Sequence, residues 1–292
     1  MRPSACWPGW RTITPGGAGE RAVMSRCIGV LIFGSLMQAS AVAVAAEAPT
    51  SALWTSLLQR HVTIVDGGPA ARVDDAGMRH DQTVFDQYTR LLSRVTPAQF
   101  QAWTRPDQMA FLINAYNAFT IQLVLTRWPR LASIKDIGSL LSSPWKQDFF
   151  TLLGRRTDLD HVEALLRTTR GYDDPRIHFA PNCASIDCPM LRNEAYAGDR
   201  LDSPLDDATR RFPGDRMRNR YDPNRDTLQV SKIFDWYADD FRVESYRSEA
   251  ALMAAHAAQL SNDPQIQARI RAQSIDIAFL PYDWHLNAVG TP

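Results

Sequence analysis

The chain has 292 residues and the composition of a globular protein, with 45% hydrophobic, 22% charged and 10% aromatic residues. This is enough apolar material for a core, so the four cysteines are not needed as staples for a very small fold. The chain has 32 basic and 32 acidic residues, so its formal charge is balanced. This balance gives no electrostatic argument for nucleic acid or an anionic membrane as the partner.

The N-terminal segment is predicted to be a secretory signal peptide. Arg26 precedes the apolar run CIGVLIFGSLM at 27–37, and the small-residue stretch AVAVAAEA follows. A positive residue, a short apolar run and an A-x-A pattern form the signal layout. We expect translation to start at Met24, residues 1–46 to be removed, and the mature protein to reach a periplasm-like compartment that permits disulfides. The run is shorter than the roughly 20 residues that span a bilayer, so no membrane span is expected after cleavage.

Residues 50–292 are predicted to form a single α+β domain, rich in helices, with a few short strands or hairpins. Helices are predicted over 51–62 and 83–95, with a loop at 63–79. The strongest helix begins after Thr104 and has about 22 residues. It is apolar nearly all round, so it should lie buried at the centre of the fold.

Two amides interrupt the apolar character of this helix. Asn114 and Asn117 lie three residues apart and therefore share a face. Buried amides usually satisfy backbone groups of neighbouring loops, but an amide can also orient a catalytic group or a substrate. Both roles stay open for these residues.

The rest of the chain predicts shorter elements. They are a hairpin around Gly154, a helix through Arg167, a strand at 177–180, a helix at 199–212, a hairpin around 222–226, helices at 232–241, 248–260 and 263–273, and a strand at 275–280. In the helix through Arg167, His161 and Glu163 are interpreted as lying off the apolar stripe. They are expected to be solvated, unless His161 reaches the cysteines described next.

The stretch RIHFAPNCASIDCPML at 176–191 concentrates the reactive side chains, and we call it the cysteine segment. It holds Cys183 and Cys188, the two cysteines that remain after the predicted cleavage, and His178. The sequence lacks the phosphate-binding loop, the dinucleotide fingerprint, the nucleophile elbow and the zincin motif. No cofactor is therefore expected.

Four interpretations of this H-x4-C-x4-C pattern stay open. Cys183 and Cys188 could form a short disulfide that stabilises the fold by about 2 kcal/mol. Cys183 could be a nucleophile whose thiolate is favoured by His178. A zinc site is disfavoured, because the local set supplies only three ligands, and no metal is expected. The fourth interpretation is a pair of buried free thiols that only pack.

Six blocks of the sequence resemble domain-of-unknown-function family 547, in the family's order. The resemblance implies a single domain, often exported in bacteria, and it implies no established activity. Pro181 and His285 depart from the residues that are usual in the family. The blocks are FLINAYNAFTIQLVL at 111–125, SPWK at 143–146, LDHVEALLR at 159–167, DPRIHFAPNCASIDCPML at 174–191, KIFDWYADDF at 232–241 and LPYDWHLN at 280–287.

Two classes of function follow, and the sequence does not decide whether the protein is an enzyme. The first is an exported enzyme for acyl-transfer or hydrolytic chemistry, with Cys183 as nucleophile, His178 or His161 as base and Asn114 or Asn117 as orienting amide. The second is a non-catalytic envelope binding or interaction module, in which a Cys183–Cys188 disulfide is a structural clip. The expected partner is a small molecule or a peptide.

Overall fold

The computed structural model describes residues 51–65, 67–138, 142–168, 172, 174–242 and 248–290. The predicted signal peptide at 1–46 lies outside these residues. Within them the protein is a helix-rich α+β fold with twelve α-helices and seven short strands, as the sequence predicts.

The helices are distributed along the whole described chain, and four short 3₁₀ turns connect some of them. The helices are α1 (Ser51–His61), α2 (Asp75–His80), α3 (Gln82–Arg94), α4 (Pro97–Ala102), α5 (Arg105–Leu125), α6 (Leu159–Thr168), α7 (Asp202–Gly214), α8 (Lys232–Trp236), α9 (Ala238–Phe241), α10 (Glu249–Ala255), α11 (Ala257–Leu260) and α12 (Pro264–Arg271). The 3₁₀ turns are Ile134–Ile137, Pro144–Lys146, Pro175–Phe179 and Gly198–Arg200.

The strands form three small sheets. They are β1 (Val62–Val65), β2 (Ala70–Val73), β3 (Phe150–Leu152), β4 (Arg155–Thr157), β5 (Arg220–Asp222), β6 (Thr227–Val230) and β7 (Asp276–Phe279). The pairs β1–β2, β3–β4 and β5–β6 are antiparallel hairpins, and β7 adds to β6 in parallel.

Helix α5 is the long buried helix that the sequence predicts. The Thr104 hydroxyl accepts the Asp107 N–H and caps its N-terminus. Sixteen of its 21 residues are buried, and α6 packs along it. Because α5 carries apolar side chains on every face, these side chains are shielded from water only when other elements surround the helix.

Two local predictions are wrong. The expected loop at 63–79 is the β1–β2 hairpin followed by α2; Gly67 and Gly68, which suggested a loop, form its turn with φ of 74° and 119°. The expected strand at 177–180 lies in the 3₁₀ turn Pro175–Phe179, because the Asp174 carboxylate accepts the Arg176 N–H and Pro175 opens the turn. Two predicted helices are each interrupted. The helix at 232–241 is divided at Tyr237 into α8 and α9, and the helix at 248–260 is divided at His256 into α10 and α11.

The buried apolar residues form one contiguous cluster that runs from Trp54 to Leu286. The last part of the chain lies against the cysteine segment, where Ser185 bridges to Leu286 and the Ile186 N–H donates to the His285 carbonyl at 2.8 Å. Of the helices in the described ranges, none has the length and apolarity to cross a membrane.

Candidate functional site

Amide side chains hold the cysteine segment in one conformation. The Asn182 N–H donates to Asn117 Oδ1, and Asn182 Nδ2 donates to the Pro189 carbonyl, both at 2.7 Å. Asn182 Oδ1 accepts the Ala184 N–H at 3.0 Å. Ala184 has φ of 62°, a left-handed conformation that costs a residue other than glycine about 1 kcal/mol. The hydrogen bonds offset this strain and thereby fix the backbone beside Cys183.

The thiol of Cys183 is buried but strongly hydrogen-bonded. The residue is 2% exposed, and its Sγ lies 3.0 Å from Ser185 Oγ and 3.4 Å from Tyr282 Oη. Burial raises the pKa of the Cys183 thiol, but its hydrogen bonds with Cys188, Ser185 and Tyr282 outweigh burial and lower the pKa to about 7. The thiolate, which is the nucleophilic form, is therefore easier to form at neutral pH than in an ordinary cysteine.

Cys188 lies next to Cys183, and no disulfide joins the two sulfur atoms in this structure. The Cys183 N–H donates to Cys188 Sγ at 2.8 Å, and the Cys188 thiol donates to the Pro181 carbonyl at 3.8 Å. The disulfide, which the sequence left open as one of four interpretations, is not formed in this structure.

Both cysteines line a small, partly open cavity. An apolar pocket with a few convergent polar groups is the usual form of a small-molecule site. The remaining walls come from α6, from the cysteine segment and from the chain around α8. They comprise the apolar residues Leu166, Ile177, Pro181, Pro189 and Ile233 and the polar residues Glu163, Arg167, His178 and Tyr237.

His178 forms a buried pair with Asp240. Its Nε2 lies 2.9 Å from Asp240 Oδ2, which also accepts from Arg167 Nε at 2.5 Å. Burial raises the pKa of Asp240, but the hydrogen bonds from His178 and Arg167 outweigh burial and hold the pKa below its usual value. The Asp240 carboxylate is therefore ionised at neutral pH and can only accept. It follows that His178 Nε2 carries the proton and that Nδ1 is the basic nitrogen.

The His178 ring is neutral at pH 7. Burial lowers the pKa of His178, although the hydrogen bond to Asp240 opposes this shift. The ring stacks on Tyr237 with centroids 4.0 Å apart, which holds its orientation beside the cavity. His178 therefore has the state of a general base at neutral pH.

Glu163 is a polar residue of the cavity that the sequence did not predict to lie there. The residue is only 5% exposed, so the expectation that it is solvated is wrong. Tyr237 Oη donates to Glu163 Oε1 at 2.9 Å, whereas Oε2 has no hydrogen-bond partner in the described part of the chain. Burial raises the pKa of Glu163 to about 8, against the lowering effect of Arg167. The carboxyl is therefore mostly protonated at neutral pH.

The two predicted site residues outside the cavity are His161 and Asn114. His161 is half-buried, and the charged groups that act on its ring are Arg155, Asp158 and Asp148. His161 lies two positions before Glu163, about 200° away around α6. No hydrogen bond joins it to the cysteine segment within the described ranges.

Asn114 and Asn117 both satisfy loop backbones, but only one of these loops carries a cysteine. Asn114 Nδ2 donates to the Tyr196 carbonyl at 2.8 Å, and Asn114 Oδ1 accepts the Tyr196 N–H at 3.0 Å. Asn117 instead donates to the Ala180 carbonyl at 3.2 Å and accepts from Asn182. Asn117 therefore positions the cysteine segment, whereas Asn114 anchors a different loop.

Tyr282 connects the Cys183 thiol to a partly exposed group of aromatic side chains. The Tyr282 ring centroid lies 4.8 Å from that of Trp236 and 4.5 Å from that of Trp284. Lys135 Nζ lies 4.7 Å from the centroid of Trp284. The tyrosine hydroxyl that hydrogen-bonds the sulfur is therefore held by packing on its far side.

Residues 100–212 match a family model described as "Protein of unknown function, DUF547". The match covers less than half of the chain, and it includes α5, α6 and both cysteines. It supports the resemblance to this family and assigns no activity. No curated protein matched the chain, and neither did any solved structure.

Proposed function

We propose that the protein is a cysteine-dependent enzyme of acyl transfer or hydrolysis, with Cys183 as the nucleophile. The observation that carries the proposal is that Cys183, with a pKa lowered to about 7, lines the same cavity as His178. His178 is in turn held by the ionised Asp240. A nucleophile, a base and a group that orients the base are the three parts of a covalent acyl-transfer site.

The reaction begins with proton transfer from the Cys183 thiol to His178 Nδ1. The sulfur then forms a bond to the carbonyl carbon, and the π pair of the carbonyl moves onto its oxygen. As this pair returns, the bond to the leaving group breaks, and the leaving group takes the proton from His178. The Asp240 carboxylate stabilises the intervening imidazolium through Nε2–H.

The resulting thioester is resolved by a second attack. Water loses a proton to His178 and adds to the thioester carbonyl. The carbon–sulfur bond breaks, the sulfur recovers the proton, and a free acid is released. An alcohol or amine in place of water gives acyl transfer by the same steps.

The test uses reduced protein and p-nitrophenyl acetate, an activated ester with a small acyl group. We expect a burst of one p-nitrophenolate per chain and an acetyl group that peptide mapping places on Cys183. Cys183→Ala should abolish the burst, a loss of about 10³-fold or more in acylation rate. The matched comparison is Cys188→Ala, which should keep the acetyl group on Cys183 but slow the burst at neutral pH, because loss of the Cys188 hydrogen bond raises the pKa of the Cys183 thiol. Acetylation of lysines without a burst at Cys183 would reject the proposal.

The second candidate is a non-catalytic envelope binding module with a Cys183–Cys188 disulfide. It is favoured by the 2.8 Å hydrogen bond from the Cys183 N–H to Cys188 Sγ, which keeps the second sulfur beside the first residue. Intact mass of protein isolated without reductant would show a loss of two hydrogens. A disulfide together with no ester burst after reduction supports the module, whereas a burst that appears on reduction makes the disulfide a resting state of the enzyme.

We also propose that the protein is exported to a periplasm-like compartment after loss of residues 1–46. The support is the positive, apolar and small-residue order of this segment. N-terminal sequencing of the protein recovered from cell fractions tests it, and a chain in the cytosolic fraction that retains these residues would contradict it.

A further inference from the structure

We propose that Glu163 donates a hydrogen bond to the carbonyl oxygen of an uncharged acyl group in the cavity and stabilises the oxyanion that forms when Cys183 attacks. This inference rests on the proposed function, because it requires Cys183 to be the nucleophile. It adds an oxyanion-stabilising group and a substrate class, neither of which the cysteine and the His178–Asp240 pair supply.

The geometric basis is a buried polar atom without a partner. Glu163 Oε1 accepts from Tyr237, whereas Oε2 is buried and makes no hydrogen bond to any described residue. Nearly all buried polar atoms in proteins are hydrogen-bonded, so an exception needs a cause. Glu163 and Cys183 line the same cavity. A ligand in that cavity is therefore placed to contact both side chains.

The charged surroundings of Glu163 decide which kind of hydrogen bond it can make. Burial has the largest effect and raises its pKa, Arg167 and the Tyr237 hydroxyl lower it, and nearby acidic groups raise it, with a result of about 8. A neutral carboxyl group has one O–H donor, which an ionised one lacks. The facing groups are Arg167 and Asp160 on α6, Tyr237 between α8 and α9, Cys183 in the cysteine segment and Tyr116 on α5.

The other walls of the cavity indicate the class of acyl group. Leu166, Ile177 and Ile233 are apolar. Arg167 is engaged with the carboxylate of Asp240 at 2.5 Å, so it does not leave a free cation for an acidic substrate. A charged acyl group would lose its hydration without gaining a partner. The cavity therefore favours short, uncharged acyl groups.

In the reaction, Glu163 keeps its proton throughout. The bond between sulfur and carbon forms, the π pair moves to the carbonyl oxygen, and the O–H of Glu163 donates to that oxygen. When the pair returns and the leaving group departs, the hydrogen bond weakens again. A hydrogen bond that strengthens only as negative charge develops on the carbonyl oxygen lowers the barrier to acylation without tightening substrate binding.

The experiment compares two reactions of the same thiol in the full-length protein. Acylation by p-nitrophenyl acetate passes through an oxyanion, whereas alkylation by iodoacetamide displaces iodide and forms none. Glu163→Met removes the donor, and we expect acylation of Cys183 to slow about 100-fold while alkylation is unchanged. Glu163→Gln keeps an N–H donor and should retain most of the acylation rate.

The pH profile supplies a second readout. In the unmodified protein, acylation should rise as Cys183 ionises near pH 7 and fall as Glu163 ionises above about pH 8. Alkylation should rise in the same range and then stay level. In Glu163→Gln the fall above about pH 8 should disappear, because an amide does not titrate there.

Three results would overturn the inference. Unchanged acylation in Glu163→Met would remove the role at the carbonyl. An equal loss of acylation and alkylation would mean that Glu163 acts on the thiol or on the fold. If Cys183 of the unmodified protein reacts with neither reagent, the proposed function itself fails, and this inference fails with it.

Discussion

Among the described residues, two buried histidines are each paired with an aspartate, and one of these histidines lines the cavity that Cys183 also lines. His61 Nε2 lies 2.8 Å from Asp81 Oδ2, and His178 Nε2 lies 2.9 Å from Asp240 Oδ2. The two histidines are also similarly buried, with 9% and 8% of their surfaces exposed. The nitrogen–oxygen distance and the exposed fraction of the histidine therefore do not distinguish the two pairs.

The pairs differ in what surrounds the other ring nitrogen. His61 Nδ1 lies 3.9 Å from Asp74 Oδ2, so a second carboxylate accompanies it at the end of α1. His178 lines the cavity that Cys183 also lines. A buried His–Asp pair is therefore a device that orients a ring, and it becomes an acid–base group only where a nucleophile and a substrate space lie next to it.

The largest expected effect comes from exchanging each histidine for glutamine. His178→Gln should slow acylation of Cys183 by about 10²- to 10⁴-fold, because the base is lost. His61→Gln should leave acylation unchanged and lower the free energy of unfolding by about 1–3 kcal/mol, through loss of a buried hydrogen bond. Burst kinetics and urea unfolding of both variants measure this, and equal rate losses would remove the distinction between the pairs.

The next effect concerns stability in acid. The folded pKa of Asp240 is below its usual value of 3.8. Its carboxylate therefore stabilises the fold above about pH 4, and this contribution is lost as the pH falls through the folded pKa. Asp240→Asn should lower the free energy of unfolding at pH 7 by about 2 kcal/mol and should flatten the decline below about pH 4.

Asp81→Asn is the matched control for Asp240→Asn, because it removes the carboxylate that pairs with His61, and Asp81 does not line the cavity. Urea unfolding at a series of pH values compares the two variants. We expect Asp81→Asn to leave the ester burst intact. A burst lost equally in both would show that the two pairs act through the fold.

A smaller effect separates the two amides of α5. Asn117→Ala and Asn114→Ala should each lower the free energy of unfolding by about 1–2 kcal/mol, since each leaves buried backbone groups unsatisfied. Only Asn117→Ala should change the alkylation rate of Cys183, because Asn117 holds Ala180 and Asn182. A change of the same size in Asn114→Ala would contradict this division.

The smallest effect is expected at His161. His161→Ala should leave acylation unchanged and shift the free energy of unfolding by no more than about 0.5 kcal/mol. The reason is that the side chain is half-buried and lies outside the cavity. A clear loss of acylation in this variant would return His161 to the set of candidate bases.

Helix α6 shows which buried residues the helical spacing of the sequence can predict. Its buried residues 159, 162, 163 and 166 have the i, i+3, i+4, i+7 spacing of one helix face. Glu163 therefore lies on the apolar stripe, and this spacing could have predicted its burial. Leu165, by contrast, lies beside this stripe and is only half-buried.

Asp240 could not have been found from local pattern. It is one of two adjacent aspartates in an aromatic-rich block, and nothing in the sequence shows which of them turns inward. Asp239 is exposed, and Asp240 meets a histidine 62 positions earlier in the chain. Only the path of the backbone around Tyr237 decides between the two.

The sequence by itself determined the helix-rich α+β class, the buried central helix, most of the hairpins and the placement of Cys183 and Cys188 in one short segment. These follow from periodicity, capping and turn chemistry, which act over a few residues. The tertiary structure alone decided the chemistry of the site. Tyr282 reaches Cys183 across 99 positions, and Tyr237 reaches Glu163 across 74. The pKa values of these groups depend on such distant partners and on burial, which no local pattern contains.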